Sequence, residues 1–104
     1  MFYTTADEYS ISLHFQNEFM TLTCCPEFPD AVNNMKKNKF DSGPSNGCFS
    51  FNWTDKKITF KCARYGDGFG GDLIVSFKVT PEILISLEKC LEEIKTFVEQ
   101  QKDL

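Results

Sequence analysis

The chain has 104 residues, a formal net charge of −4 at pH 7 and a hydrophobic fraction of 41%. This length predicts a single domain, residues 1–104, whose core needs no disulfide or metal to fold. A sequence pI of about 4.9 argues against a generally basic surface that adheres to nucleic acid or membranes. No run approaches the roughly 20 apolar residues of a membrane helix, so no membrane partner is expected.

The N-terminus and the cysteines indicate the compartment. Residues 1–8 have neither a basic start nor an apolar run, so no secretory signal is expected. The five cysteines are an odd number without regular spacing, which suits a reducing environment. The sequence therefore predicts an intracellular protein, cytoplasmic or nuclear.

Two strands are predicted near the N-terminus. Residues 9–16 alternate in polarity, and the inner face would carry four apolar side chains: Tyr9, Ile11, Leu13 and Phe15. A two-residue turn at Asn17 and Glu18 would lead into a second strand, residues 19–25. The inner face of this strand would carry Met20, Leu22 and Cys24.

A short helix and a loop are predicted next. Phe28, Val32 and Met35 have helical spacing, which places one short helix after the second strand. Residues 40–47 are rich in glycine, proline, serine and asparagine, so they are predicted to form an exposed, flexible loop.

Three more strands are predicted in the second half of the chain. Strands 48–53 and 58–64 would pair about the turn 54–57. This register sets three apolar pairs on one face: Trp53 with Ile58, Phe51 with Phe60, and Phe49 with Cys62. A glycine-rich connection, residues 65–72, leads to the last strand, residues 73–79.

The C-terminal helix, residues 80–102, has the clearest pattern. Thr80 suits the N-cap and Pro81 the first helical position. Apolar residues then recur at steps of three and four in one stripe: Ile83, Leu84, Leu87, Cys90, Leu91, Ile94, Phe97 and Val98. From residue 82 onward there are six acidic and three basic side chains, so the opposite face is acidic.

Together these elements predict an α+β fold. It is a five-stranded antiparallel sheet with a short helix between strands 2 and 3 and a long C-terminal helix packed on one face. Five strands about 4.8 Å apart are wider than the roughly 10 Å that one helix covers. We therefore expect a homodimer that associates through the helix stripe or through an uncovered part of the sheet.

The candidate catalytic and metal-binding residues do not converge in this fold. In the predicted register Cys25 lies opposite Ser10, more than about 10 Å from the position facing His14, the only histidine. The cysteines have no Cys-x-x-Cys spacing and point in different directions, so neither a metal nor a cofactor is expected. The glycine-rich stretch is followed by a strand, which excludes a phosphate-binding loop. The sequence predicts a protein that is not an enzyme.

The glycine-rich connection is instead predicted to bind another protein. Tyr65 and Phe69 are aromatic residues among glycines, and Asp67 and Asp72 accompany them. The loop 40–47 and the acidic face of the C-terminal helix are further candidate surfaces.

An alternative is a surface for single-stranded nucleic acid on the outer face of the last three strands. That face carries Lys57, Lys61, Arg64 and Lys78. The order of elements over residues 47–102, with the Val79–Glu82 junction between strand and helix, resembles that of the single-strand-binding transcriptional coactivator family. The resemblance implies a dimer that binds single strands. The aromatic side chains of these strands point inward, however, so the outer face lacks a stacking platform.

The sequence thus predicts a small, non-catalytic, intracellular module that binds another protein as a homodimer. The alternative is a dimer that binds single-stranded nucleic acid. A third reading is a small-ligand pocket between the sheet and the short helix.

Overall fold

A computed structural model of the chain describes residues 1–26, 31–41, 48–63 and 72–102. Its elements follow one another in the order β1 (Phe2–Ala6), β2 (Ile11–Gln16), β3 (Thr21–Cys24), α1 (Ala31–Met35), β4 (Lys39–Asp41), β5 (Cys48–Trp53), β6 (Lys57–Ala63), β7 (Asp72–Lys78) and α2 (Pro81–Lys102). Two antiparallel sheets result: sheet 1, in the order β1-β2-β3, and sheet 2, in the order β4-β5-β6-β7. The α+β class is confirmed. In these described ranges, neither helix combines the length and apolar character needed to cross a membrane.

The predicted single five-stranded sheet is wrong. β1 was not predicted, and only Phe2 among its side chains is buried. β4 was assigned to the flexible loop 40–47, but Phe40 is fully buried and pairs with Phe51. Residues 42–47 lie outside the described residues. The short helix occupies its predicted place in the sequence, but with β1 present it follows the third strand rather than the second.

The hairpin between β2 and β3 has a different register from the predicted one. Its two-residue loop is Glu18 and Phe19, and His14 pairs with Thr23 rather than Thr21. A shift of two residues keeps every side chain on its predicted face, because side chains alternate with a period of two. The inner face of sheet 1 therefore carries Ile11, Leu13, Phe15, Leu22 and Cys24.

The hairpin of β5 and β6 confirms two of the three predicted pairs. Trp53 pairs with Ile58, and Phe51 pairs with Phe60. The third pair is wrong, because Cys62 pairs with Cys48 and the register shifts before Ser50. Residue 49 is thus the extra residue of a β-bulge, which turn-based counting of the register does not anticipate.

Aromatic rings from both sheets meet in one core. The ring centroid of Phe2 lies 5.1 Å from that of Phe15 in sheet 1, and 5.7 and 6.4 Å from those of Phe51 and Phe60 in sheet 2. Phe15 also stacks on Phe77 of β7, with 4.4 Å between centroids. Offset and tilted contacts at these separations are favourable beyond simple burial. The N-terminal strand therefore joins the two sheets.

Helix α2 begins as predicted. The backbone N–H of Ile83 donates to the hydroxyl of Thr80, and Pro81 is the first helical residue. The centre of its predicted apolar stripe is buried: Leu87, Cys90, Ile94, Phe97 and Val98. Most of this stripe packs within the chain, against β1, β2 and α1, so it does not offer a dimer surface.

The same helix runs alongside the outer edge of β1. The N–H of Phe2 donates to the Ser86 hydroxyl, and the Thr4 hydroxyl donates to the Glu93 carboxylate further along both elements. The β1 edge is therefore bonded to α2 through the backbone at Phe2, while further along a side-chain bond spans the two elements.

Candidate functional site

The two hairpin turns of sheet 1 are built alike. Asp7 and Asn17 each accept, through the Oδ1 atom, hydrogen bonds from the backbone N–H groups two and three residues later, at 2.8 to 3.0 Å. The N–H of each also donates to the carbonyl that closes its loop. No residue of these turns has a positive φ among the described residues, so the side chain supplies the closure that asparagine–glycine turns obtain from their backbone.

Each turn presents an exposed aromatic side chain. Tyr9 is 78% exposed and Phe19 is 84% exposed, although both were predicted to lie in strands, Tyr9 on the inner face. Consecutive turns of an antiparallel sheet lie at opposite ends, so the two rings point away from each other. The sequence contained a signal for this arrangement, which is an Asx-Glu-aromatic triplet at 7–9 and again at 17–19.

Two other exposed apolar residues lie at the same end of sheet 1 as Phe19, and we call Met1, Phe19 and Met20 together the tip patch. Met1 lies at the same end of sheet 1, because its N-terminal ammonium and its carbonyl both bond Gln16, next to the turn. Met1 is 52% exposed and Met20 41% exposed. Three large apolar side chains therefore meet solvent at one end of the sheet.

The turn at the other end carries a perturbed carboxylate. The N–H groups of Tyr9 and Ser10 donate to Asp7, and these bonds hold its pKa below the usual 3.8. The Asp7 carboxylate is therefore ionised at neutral pH, where it accepts both hydrogen bonds.

His14 lies at the centre of the outer face of sheet 1. Its Nε2 is 2.7 Å from the Thr5 hydroxyl on β1, and its Nδ1 is 2.9 Å from the Thr23 hydroxyl on β3. The Tyr3 ring stacks on the imidazole at 4.8 Å. Partial burial lowers the pKa of His14 below 6.5. The imidazole therefore links three strands in its neutral form.

The arrangement does not pair His14 with a thiol. Cys25 lies on the same face, but its Sγ is 3.1 Å from the hydroxyl of Ser12, while both ring nitrogens of His14 contact threonines. The predicted position of Cys25 opposite Ser10 is wrong, because the register moved by two residues. No group of three or more potential metal ligands occurs in the part of the chain that the structure describes.

The outer face of sheet 2 holds the described lysines of the predicted nucleic-acid surface. Lys57 and Lys78 are both exposed and pair directly across β6 and β7. Lys61 is half-buried on the same face, one row beyond the hydroxyl pair of Thr59 and Ser76. Arg64 lies outside the described residues. Two like charges directly opposite each other destabilise a sheet, so this pair favours an anion between them.

Among the grooves on the described surface, two adjoin the elements discussed above. One, of about 450 Å³, separates β1 from α2 and is lined by Thr4, Ala6, Ile11, Lys89, Glu92, Glu93, Thr96, Phe97 and Gln100. The other, of about 340 Å³, is lined by Lys56, Lys57, Ser76, Phe77 and Lys78. The second groove brings three lysines together at one end of sheet 2.

Most of the predicted protein-binding loop lies outside the part of the chain that the structure describes. Tyr65, Asp67 and Phe69 lie outside the described residues, and Asp72 begins β7. The prediction for these residues therefore stays a prediction. No protein-family model, no curated protein and no solved structure matches this chain.

Proposed function

We propose that this protein is a non-catalytic intracellular module that binds another protein and is itself a homodimer. The observation that carries the proposal is the tip patch of Met1, Phe19 and Met20. Several large apolar side chains exposed at one end of a domain favour an interaction surface there. Aromatic residues and methionine are also enriched at protein interfaces.

The turn makes Phe19 suitable as an anchor. Its backbone N–H and that of Met20 are both bonded to Asn17, so the ring projects from a loop that is already ordered. A pre-ordered side chain loses less conformational entropy on binding. Complete burial of such a ring in a partner's pocket contributes about 1.5–3 kcal/mol.

Affinity capture from source-cell lysate, with nuclease treatment in parallel, tests this proposal. Phe19→Ala should abolish recovery of a nuclease-resistant protein partner. Tyr9→Ala is the matched control, because Tyr9 has the same exposure on the same type of turn at the opposite end of the sheet. Equal recovery with both variants would contradict a role of the tip patch.

The loop predicted from the sequence is tested in the same assay. The double variant Tyr65→Ala/Phe69→Ala removes its two aromatic side chains while leaving the tip patch intact. Loss of the partner in this variant alone would move the site from the tip patch to the glycine-rich connection.

A second candidate function, binding of single-stranded nucleic acid, is favoured by the opposed lysines of sheet 2. Lys57 and Lys78, together with Lys56, line one groove and could bind a phosphate. Among the side chains that the structure describes, no aromatic group lies on this outer face. Phosphate contacts rather than base stacking would therefore dominate the affinity.

A titration with a labelled single-stranded oligonucleotide at low salt separates the two functions. If phosphate contacts bind the strand, Lys57→Ala/Lys78→Ala should weaken binding and reduce the salt dependence by roughly 0.7 per lost contact. Lys95→Ala, an exposed lysine on α2, is the control. Absence of binding at 10 µM protein, an order-of-magnitude limit, would exclude the nucleic-acid function because electrostatic attraction is strongest at low salt.

A further inference from the structure

The outer edge of β7 differs from the sheet edges formed by β1 and β4. The N–H of Val79 donates to the carbonyl of Lys56, and β6 and β7 pair antiparallel from Lys57 with Lys78 to Ala63 with Asp72. Because antiparallel strands alternate, the odd-numbered residues of β7 direct their backbone groups toward β6. The even-numbered residues, 72, 74, 76 and 78, direct theirs outward.

This edge is long, and the described residues do not cover it. β7 has seven residues, β4 at the opposite edge of sheet 2 has only three, and the edge of β1 bonds the Ser86 hydroxyl on α2. Within the described ranges, no residue supplies a hydrogen-bond partner to the outward N–H groups of Ile74, Ser76 or Lys78. Such an edge is a template for pairing with another strand.

We propose that β7 pairs antiparallel with β7 of a second copy of this chain, about a twofold axis at Val75. The pairing would join two four-stranded sheets into one sheet of eight strands. Each outward-facing residue would form part of a pair that exchanges two hydrogen bonds, as in any antiparallel ladder.

The sequence of β7 is complementary to itself in this register. Residue 72, an aspartate, falls opposite Lys78 of the second copy, and this pair occurs twice because of the symmetry. Ile74, which is 60% exposed, falls opposite Ser76. On the inner face the half-buried Val75 falls opposite Val75 of the second copy. Opposite charges and apolar pairs are the cross-strand combinations that stabilise sheets.

A second copy is therefore a better occupant than an unrelated strand. An unrelated strand would need a positive charge opposite residue 72 and a negative charge opposite Lys78. In a twofold dimer, Lys78 and Asp72 of the second copy occupy these two positions. The inference rests on the proposed homodimer and names its interface. It involves neither the tip patch nor its partner.

The oligomeric state of charge variants tests the interface. Sedimentation equilibrium of the wild-type chain should show a dimer, and Lys78→Asp should raise its dissociation constant by about tenfold or more, because like charges would then face each other twice. Lys78→Asp also removes the repulsion with Lys57 inside each copy, so the fold itself is not weakened. The double variant Asp72→Lys/Lys78→Asp should restore the wild-type constant.

Further variants distinguish the edge from general charge effects. Lys57→Asp makes the same charge change one strand inward and should leave the dimer intact. Ser76→Pro removes an outward N–H without touching the backbone bonds to β6, and should dissociate the dimer. Ser76→Ala loses the same side-chain bond to Thr59 but keeps the N–H, so it should leave the dimer intact. In the wild-type dimer the amides of Ser76 and Lys78 should exchange hydrogen slowly, and dilution should abolish this protection.

The possible outcomes distinguish the proposed β7 interface from the more general proposal that the chain is a dimer. A wild-type monomer at about 100 µM, a concentration typical of weak association, would overturn both. A dimer that survives Lys78→Asp and Ser76→Pro would overturn the β7 interface and leave the proposed dimeric state standing. Dissociation by Lys57→Asp equal to that by Lys78→Asp would also overturn it, because the edge would then have no special role.

Discussion

His14 bonds hydroxyl groups on both neighbouring strands, and its partial burial lowers its pKa below 6.5. Burial disfavours the charged imidazolium, whereas the neutral ring can donate from one nitrogen and accept at the other. The side chain therefore stabilises sheet 1 in its neutral form. Folding therefore lowers the fraction of His14 that is protonated at a given pH near 6.5.

The first prediction concerns the pH dependence of stability. The unfolded chain binds a proton at His14 near pH 6.5, whereas the folded chain does so only at lower pH. The free energy of unfolding should therefore fall as pH drops from about 7.5 through 6.5 and level off below the folded pKa. His14→Gln should flatten this slope in urea titrations. A wild-type curve that is flat between about pH 5 and 7.5 would contradict the assignment.

Cysteine reactivity provides a second prediction at the residue scale. Cys90 is buried in α2, and burial, followed by the negative charge of Glu93, raises its pKa from 9.0 to about 11. Two pKa units reduce its thiolate fraction about a hundredfold. Iodoacetamide at pH 8 should alkylate half-buried Cys25 long before Cys90, measured by peptide mass spectrometry. Equal rates in the native protein, with urea-unfolded protein as the control, would contradict this burial.

At the scale of elements, three hairpin turns are closed in the same way, by a side-chain oxygen that accepts backbone hydrogen bonds. Thr54 accepts hydrogen bonds from the N–H groups of Lys56 and Lys57, as Asp7 and Asn17 do in the two turns of sheet 1. A side-chain acceptor at the first turn position holds the loop without glycine. The meanders of both sheets therefore depend on these short polar side chains.

Asn17→Ala should destabilise the protein by about 1–2 kcal/mol, because two turn hydrogen bonds lose their acceptor. Urea denaturation measures this cost. Asn52→Ala, at an exposed position in β5, is the control and should change stability by less than about 0.5 kcal/mol. An equal cost for both variants would show that the turn bonds are not the cause.

At the scale of the whole molecule, the N-terminal strand connects the parts. Phe2 contacts rings in both sheets, and its backbone N–H bonds α2. Sheet 1, sheet 2 and the C-terminal helix thus share a single core. Removal of the Phe2 side chain should therefore lower the stability of the whole folded chain.

Phe2→Ala should reduce the free energy of unfolding by about 3–5 kcal/mol, the usual cost of removing a buried ring. Phe19→Ala removes the same atoms from an exposed position and should cost less than about 0.5 kcal/mol. Thermal and urea unfolding of both variants provide the comparison. Similar losses of stability would contradict either the burial of Phe2 or the exposure of Phe19.

The sequence by itself determined the elements whose signals are local. The N-cap of Thr80, the proline after it and the apolar stripe of α2 all lie within one segment, so they predicted the helix correctly. The pairs of Trp53 with Ile58 and Phe51 with Phe60 were also predictable, because a short turn fixes their register. The position of Lys57, Lys61 and Lys78 on the outer face followed from the alternation of side chains along the strands, but their pairing did not.

Only the tertiary structure decided how these elements divide into sheets. β1 pairs with β2 and β4 with β5, the strand that follows each in the sequence, whereas the packing of Phe2 against sheet 2 and the burial of Phe40 are set by the tertiary structure. Tyr9 and Phe19 are exposed because side-chain caps place them at turn tips, which outweighs their hydrophobicity. Local patterns record the preference of each segment for a helix or strand, whereas its partners are chosen by long-range packing.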